Sequence, residues 1–402
     1  MKSYAGLLRT PGVARLLFSQ LVARFPGGML SLAIILHVEK QFDSYGAAGI
    51  VLAGLSVGQA VSGPLTSRLM GVLGMRPVLV VTGVVCSITL TLMALVPLPL
   101  AAILVLGIIA GLSFPPIQPA VRTIYPKMVN SSQLTPLYSL DASAQEIIWI
   151  GGPVLVTFVG TQVSTELGVL LSVAFIVAGG LWFVTSPALG RVRIPRSKRR
   201  FGVVLARPVV LLSTVVGFLL VGGFAAIETS VVATFGDHGA EAGIVLAIWS
   251  VASLAGGLAL GGVEISPWSL ARRLAVIAVG ATLAIFAWEF WSISAALVIA
   301  GFCIAPALTV MFSVVSASVR FSDTAEAYGW VGTGQLIGAA AGAAAAGFLI
   351  DANGADGGYW VAAAFLVLSA IIATVFHRVM PDLRGRDATP LTDTEPVPVQ
   401  PS

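Results

Sequence analysis

Arg24, Asp141, Glu146 and Glu228 are charged residues embedded in apolar runs. A charge held at mid-bilayer costs several kcal/mol unless it is paired or hydrated, so each is a candidate for ion pairing, substrate contact or proton exchange. Arg24 and Glu146 lie near the middles of the runs 16–38 and 137–159. At 1.5 Å per helical residue both fall within about 5 Å of mid-depth, which permits an ion pair between them. Such a pair either joins two helices structurally or lets Glu146 exchange a proton while Arg24 or substrate holds the ionised carboxylate. Tyr138, Asp141, Gln145 and Gly152 follow at helical spacing on one face. Asp141 lies near one end of its run, where a gate or loop contact is expected. Glu228 lies about 9 Å from the middle of its own run, beside Thr229 and Ser230. It is either a cavity or outer-gate residue or a hydrated helix-end carboxylate.

The elements that position these residues are membrane helices. Only 40 of 402 residues are charged, 57% are hydrophobic, and the mean hydropathy is +0.97. A soluble chain of this length carries about 25% charge, so a soluble globular domain is excluded, as are disorder, coiled coil, nucleic-acid binding and a disulfide scaffold. Apolar stretches of about 20 residues span a bilayer as helices. Twelve are expected, at 16–38, 46–65, 78–96, 100–121, 137–159, 167–187, 209–235, 242–263, 274–290, 292–319, 327–350 and 359–379. Unbroken apolar runs such as 78–85 argue against a β-barrel.

Cytoplasmic loops retain Lys and Arg. Numbering the loops alternately with the N-terminus inside places 20 of the 22 basic residues on one side, with Lys40 alone outside and Arg24 within a span. This predicts a multi-pass protein of the cell (inner, plasma) membrane with cytoplasmic N- and C-termini. The outer loops carry acidic residues, among them Glu166, Asp237 and Asp351, and Trp288 and Trp291 mark the outer boundary. Residues 188–207 hold seven positive charges and no acid. They divide a six-helix bundle over 1–187 from another over 208–380, and serve as a topology anchor on anionic headgroups or as a regulatory segment. The tail, 381–402, is rich in Pro, Asp and Thr and is expected to be disordered. Arg122 is expected to snorkel as an inner anchor, and His37 to be solvated at an outer helix end.

The halves resemble one another. Residues 49–53, Gly-Ile-Val-Leu-Ala, recur at 243–247, an offset of 194, and Gly63 matches Gly257. At an offset of 190, Ala110-Gly111 matches Ala300-Gly301, Pro116 matches Pro306, and Tyr138, Gln145 and Gly152 match Tyr328, Gln335 and Gly342. Asp141 has the uncharged counterpart Val331. Equivalent spans run the same way, giving a parallel repeat about an axis normal to the membrane.

With this repeat the chain resembles the major facilitator superfamily over about residues 10–380, in its drug and metabolite efflux branch. The family's motif between spans two and three, G-x-L-x-D-R-x-G-R-R, is met in part: Leu69, Gly74, Arg76 and Val78-Leu79 fit, whereas Gly71 and Val72 replace its Asp and first Arg. Closure of the inner face must therefore use other contacts. In span five Gly151-Gly152-Pro153 resembles the element of antiporter branches, without the glycines after the Pro. The family fold sets spans two and eleven against each other across the halves. The resemblance thus implies a sliding or static contact through Gly54, Gly58, Gly334, Gly338 and Gly342, with matched kinks at Pro116 and Pro306. Arg76 joins these gating candidates. Tyr138, Gln145, Tyr328 and Gln335 are candidates to line a cavity from both sides or to bond between helices away from it.

The expected protein is an all-α, twelve-helix secondary active transporter, a monomer that is not an enzyme. No phosphate-binding G-x-x-x-x-G-K-[ST] sequence, metal-ligand cluster or cofactor motif is present. Few fixed charges suit a small apolar or amphipathic substrate, with protons as the coupling ion and efflux as the direction. The alternative is a proton-coupled uptake permease for a nutrient or monocarboxylate, and a membrane sensor or enzyme is the third reading.

Overall fold

The computed structural model describes residues 2–235 and 241–393, save Lys198, and all helices and contacts below refer to these. Asp237, Lys198 and residues 394–402 lie outside the described residues. Eleven helices are long and apolar enough to cross a membrane: Val13–Phe42, Gly46–Leu73, Met75–Leu95, Leu100–Lys127, Ser131–Gln162, Thr165–Val184, Pro208–Phe235, Glu241–Leu260, Phe290–Ser318, Phe321–Asn353 and Ala355–Val375. Ser269–Ala284, 16 residues long, is the ninth of twelve; at 1.5 Å per residue it is about 24 Å long. The twelve form two six-helix halves, called spans one to twelve in chain order. An even number returns both described ends and the linker to one face, here the basic face. Apolar side chains stay exposed along the flanks, as at Phe158, Phe286 and Phe348, because a bilayer and not water is their solvent.

The repeat is visible in the backbone. Span four stops at Leu112 and resumes at Ile117; span ten stops at Phe302 and resumes at Ile304. The break residues are Ser113, at φ −102° and ψ 11°, and Cys303, at φ −102° and ψ 1°, which are 190 residues apart. Helix breaks are present at both expected prolines: Pro116 is the last residue of its break and Pro306 the third helical residue after its own, positions where a residue without an N–H is tolerated. Span one breaks at Phe25, between Arg24 and Pro26.

Helix packing corrects the expected role of the glycine stripes. Gly54 and Gly58 face Leu104 and Ile108 of span four, and Gly334, Gly338 and Gly342 press against the carbonyls of Thr214, Phe218 and Gly222 in span seven. Both stripes are packing seams, each inside a single half. The contact between spans two and eleven uses the neighbouring helix faces, where Gly329 abuts Gly63 and Pro64 and Thr333 Oγ1 donates to Ala60 O at 2.8 Å. Small residues let these backbones meet. Gly338→Val should therefore destabilise the protein by about 1–3 kcal/mol through overpacking, seen as a lower unfolding temperature. Gly332→Ala, where a Cβ meets nothing within 4 Å, should leave it unchanged; equal behaviour of the two variants would refute the seam.

Residues 381–393 depart from the expected disorder. Leu383 N donates to Ile265 O at 2.9 Å, Phe321 N to Leu391 O at 3.0 Å and Leu391 N to Val319 O at 2.9 Å. Leu383 and Ala388 are buried. Two apolar side chains and the free backbone groups where span ten ends are enough to dock a polar segment on the basic face.

Candidate functional site

Asp141 is fully buried and is the centre of a polar hub. Its Oδ1 accepts from Arg24 Nη1 at 3.0 Å, Gln20 Nε2 at 3.2 Å and Tyr125 OH at 3.1 Å, and its Oδ2 from Arg122 Nε at 3.1 Å. Arg24 Nη1 also reaches Gln20 Oε1 at 2.9 Å. Four donors thus converge on one carboxylate, three of them on Oδ1. Helical spacing assembles the set, since Gln20 and Arg24 are four apart on span one and Arg122 and Tyr125 three apart on span four. Two guanidinium ions share one carboxylate, so the hub carries an excess positive charge. Arg122 is only 1% exposed; its Cζ lies 3.4 Å from the centre of the Phe312 ring, and the Gln118 side-chain amide lies against its guanidinium. Desolvated cation–π contacts of this kind are worth about 2 kcal/mol.

Two expectations are corrected here. Arg24 pairs with Asp141 and not with Glu146. These acids are five residues apart, so they project about 140° apart around the helix, and only Asp141 faces span one. Arg122 is no snorkelling anchor, because it points into the bundle. His37 is likewise buried, its Nε2 3.0 Å from Met93 O and its Nδ1 3.4 Å from Thr165 Oγ1.

Residues that touch their own repeat counterparts lie on the axis relating the halves. Tyr138 and Tyr328 do so, hydroxyl to hydroxyl at 3.0 Å, and so do Arg122 and Phe312. Tyr328 OH also lies 2.8 Å from Phe312 O and Tyr138 OH 3.3 Å from Arg122 O. The expected tyrosine pair is thus brought together as an axial plug and not as a cavity lining. Flanking contacts repeat about the same axis: Gly63 packs on Thr333, and Gly257 packs on Ser143, their counterparts by offsets of 194 and 190. Ser139 Oγ donates to Gly257 O at 2.6 Å.

Glu146 faces span eight of the other half, where Ser253 Oγ donates to its Oε1 at 2.7 Å. Ser253 Oγ in turn accepts from Ala305 N at 3.2 Å, an amide freed by the break at Cys303. Glu228 is exposed, about 10 Å farther from the basic face than the middle of span seven, and within electrostatic reach of Glu146. Neither glutamate has a cationic partner among the described residues. Gln145 Nε2 is buried without a hydrogen-bond partner. Gln335 lies against Gly217 of its own half. Arg76 Nη2 reaches Ser186 O at 3.5 Å, also within one half.

Among the described residues, every hydrogen bond and ion pair between the halves lies at the level of Glu146 or nearer the basic face. Arg68 Nη1 and Glu326 Oε2, at 2.8 Å, form the outermost such pair on that face. These bonds hold the two halves together at the basic face. Sequence reasoning missed Gln20, Tyr125, Ser253 and Glu326. The first two carried a legible signal in their spacing from Arg24 and Arg122; a serine and a terminal glutamate carried none.

The sequence matches the family model described as Major Facilitator Superfamily over residues 16–288 and 270–399. No curated protein matches it. Solved structures with the same fold include a bacterial homologue of the iron transporter ferroportin in an outward-facing state, with TM-score 0.73 and 12% identity over 91% of this chain and 99% of that one. The human organic anion transporter MFSD10 (TETRAN) has TM-score 0.71 and 15% identity over 91% and 99%. The proton:xylose symporter XylE has TM-score 0.70 and 15% identity over 96% and 98%.

Proposed function

The chain belongs to the major facilitator superfamily, and from that premise we propose that it is a proton-coupled exporter of a small apolar or amphipathic molecule, working by alternating access. The observation that carries the reading is Glu146, a mid-depth carboxylate whose bonded partner, Ser253, belongs to the opposite half. An ionised carboxylate there lacks a counter-ion and is costly; a protonated one is not. The Ser253 hydroxyl donates to this carboxylate while the basic face is closed. Opening that face separates spans five and eight and removes the hydroxyl, which favours proton uptake or replacement by substrate. Glu228, exposed and nearer the face that this reading leaves open, supplies an entry point for protons. With the Arg24 charge consumed by Asp141, the open side offers few fixed charges, which supports an uncharged or amphipathic substrate. The basic residues support a cytoplasmic position for the closed face, and the Gly151-Gly152-Pro153 element supports export. The proposed setting is a bacterial inner membrane, with the protein as a monomer.

Purified protein screened by thermal shift gives candidate substrates, which everted vesicles then test. An exporter accumulates the compound while dissipating an acid-inside gradient. Accumulation only in right-side-out vesicles would identify an uptake permease instead, and gradient-independent equilibration would remove proton coupling.

A further inference from the structure

The linker between the halves is bonded to both of them at the closed face. On the side of the first half, Arg68 donates through Nη2 to Arg199 O and lies 5.8 Å from the Phe201 ring. Gly71 packs beside Pro195 O, where an added Cβ would stand 3.3 Å away. On the side of the second half, Gly202 N donates to Glu326 Oε1 at 2.7 Å and Ser197 Oγ to Asp323 Oδ1 at 2.6 Å. Arg199 Nε lies 3.8 Å from Asp323 Oδ2, and Phe201 packs on Trp330 at 5.7 Å between ring centres. Glu326 thus spends one oxygen on Arg68 and the other on the linker backbone. Its side chain is 4% exposed, against 23% for Arg68. The positions where the family motif places an Asp and an Arg are Gly71 and Val72, so this face lacks that source of closure.

We propose that the linker is a structural part of the cytoplasmic lock, with Arg68 and Glu326 as positioning residues that clamp it through Ser197, Arg199, Phe201 and Gly202 between spans two and eleven. Separating those spans breaks the ion pair and also strips the linker from one half. The lock is therefore three-bodied, and its strength depends on linker backbone groups that a charge pair alone does not supply. This rests on the alternating-access reading, but its readout is conformation in the absence of substrate, so the two can fail separately.

The test places nitroxide labels at Leu73 and Arg272, which are exposed on opposite halves of the closed face. Cys86 and Cys303 are buried and stay unlabelled. The parent protein should show a dominant short distance. Ser197→Ala removes one hydrogen bond to a carboxylate and should raise the ratio of long to short distances about tenfold, and Glu326→Ala should raise it further. The exchanged double variant, Arg68→Glu with Glu326→Arg, rebuilds an ion pair but neither donates to Arg199 O nor accepts from Gly202 N. It should stay shifted toward the long distance. Full recovery of the parent distribution by the exchange, or an unchanged distribution in Ser197→Ala, would overturn the proposal.

Discussion

Replacing Asp141 with Asn should destabilise the protein more than replacing either arginine that it holds. The hub contains two guanidinium ions and one carboxylate. Asn at 141 leaves two like charges buried without a counter-ion, a change that costs about 3–5 kcal/mol. Arg24→Gln leaves Arg122 paired with Asp141, and its loss is that of charge-assisted hydrogen bonds, about 1.5–3 kcal/mol. Unfolding can be followed by the reactivity of Cys86 and Cys303, since both are buried in the native protein. The expected order of unfolding temperatures is parent, Arg24→Gln, Asp141→Asn. The reverse order of the two variants would mean that the excess positive charge is neutralised by something other than Asp141. Because Arg122 also stacks on Phe312 across the axis, the damage should extend to closure of the basic face.

Replacing Glu146 with Gln should abolish gradient-driven transport while leaving substrate binding measurable. The amide fills the same space and still reaches Ser253, but it cannot exchange a proton, so the two conformations lose their differential affinity for protons. A ligand with equal affinity for two states shifts neither. Ser253→Ala should have a smaller effect, because it removes the hydrogen bond and keeps the titrating group. Glu228→Gln separates an entry role from a coupling role: it should slow proton-driven flux without ending it. If Glu228→Gln ends flux and Glu146→Gln does not, the coupling site lies nearer the open face than proposed.

Much of the architecture is legible in the sequence because membrane spans announce themselves by length and apolarity, and loops by their arginines. The repeat is legible as well: counterparts such as Ser113 and Cys303, or Tyr138 and Tyr328, occupy equivalent places. The polar site is less so. Depth along a helix follows from residue number, and on depth alone Arg24 and Glu146 look like partners. Azimuth decides the pairing, and a break at Phe25 and the turn between Asp141 and Glu146 send them to different neighbours. The glycine stripes misled in the same way, since Gly334 and Thr333 are adjacent in sequence but about 100° apart on the helix, one facing span seven and the other span two. The hub's second arginine was hidden by its position near a helix end, where an exposed anchor is the usual outcome. Its repeat counterpart, Phe312, supplies the ring it stacks on.

The measurement that bears most directly on proton coupling is proton movement during substrate flux in liposomes of defined orientation. A substrate gradient is imposed across the membrane without a pH gradient, and a trapped dye records internal pH. The account predicts protons moving opposite to substrate in the parent protein and no proton movement in Glu146→Gln. Substrate flux in the parent without proton movement, or undiminished proton movement in Glu146→Gln, would contradict it.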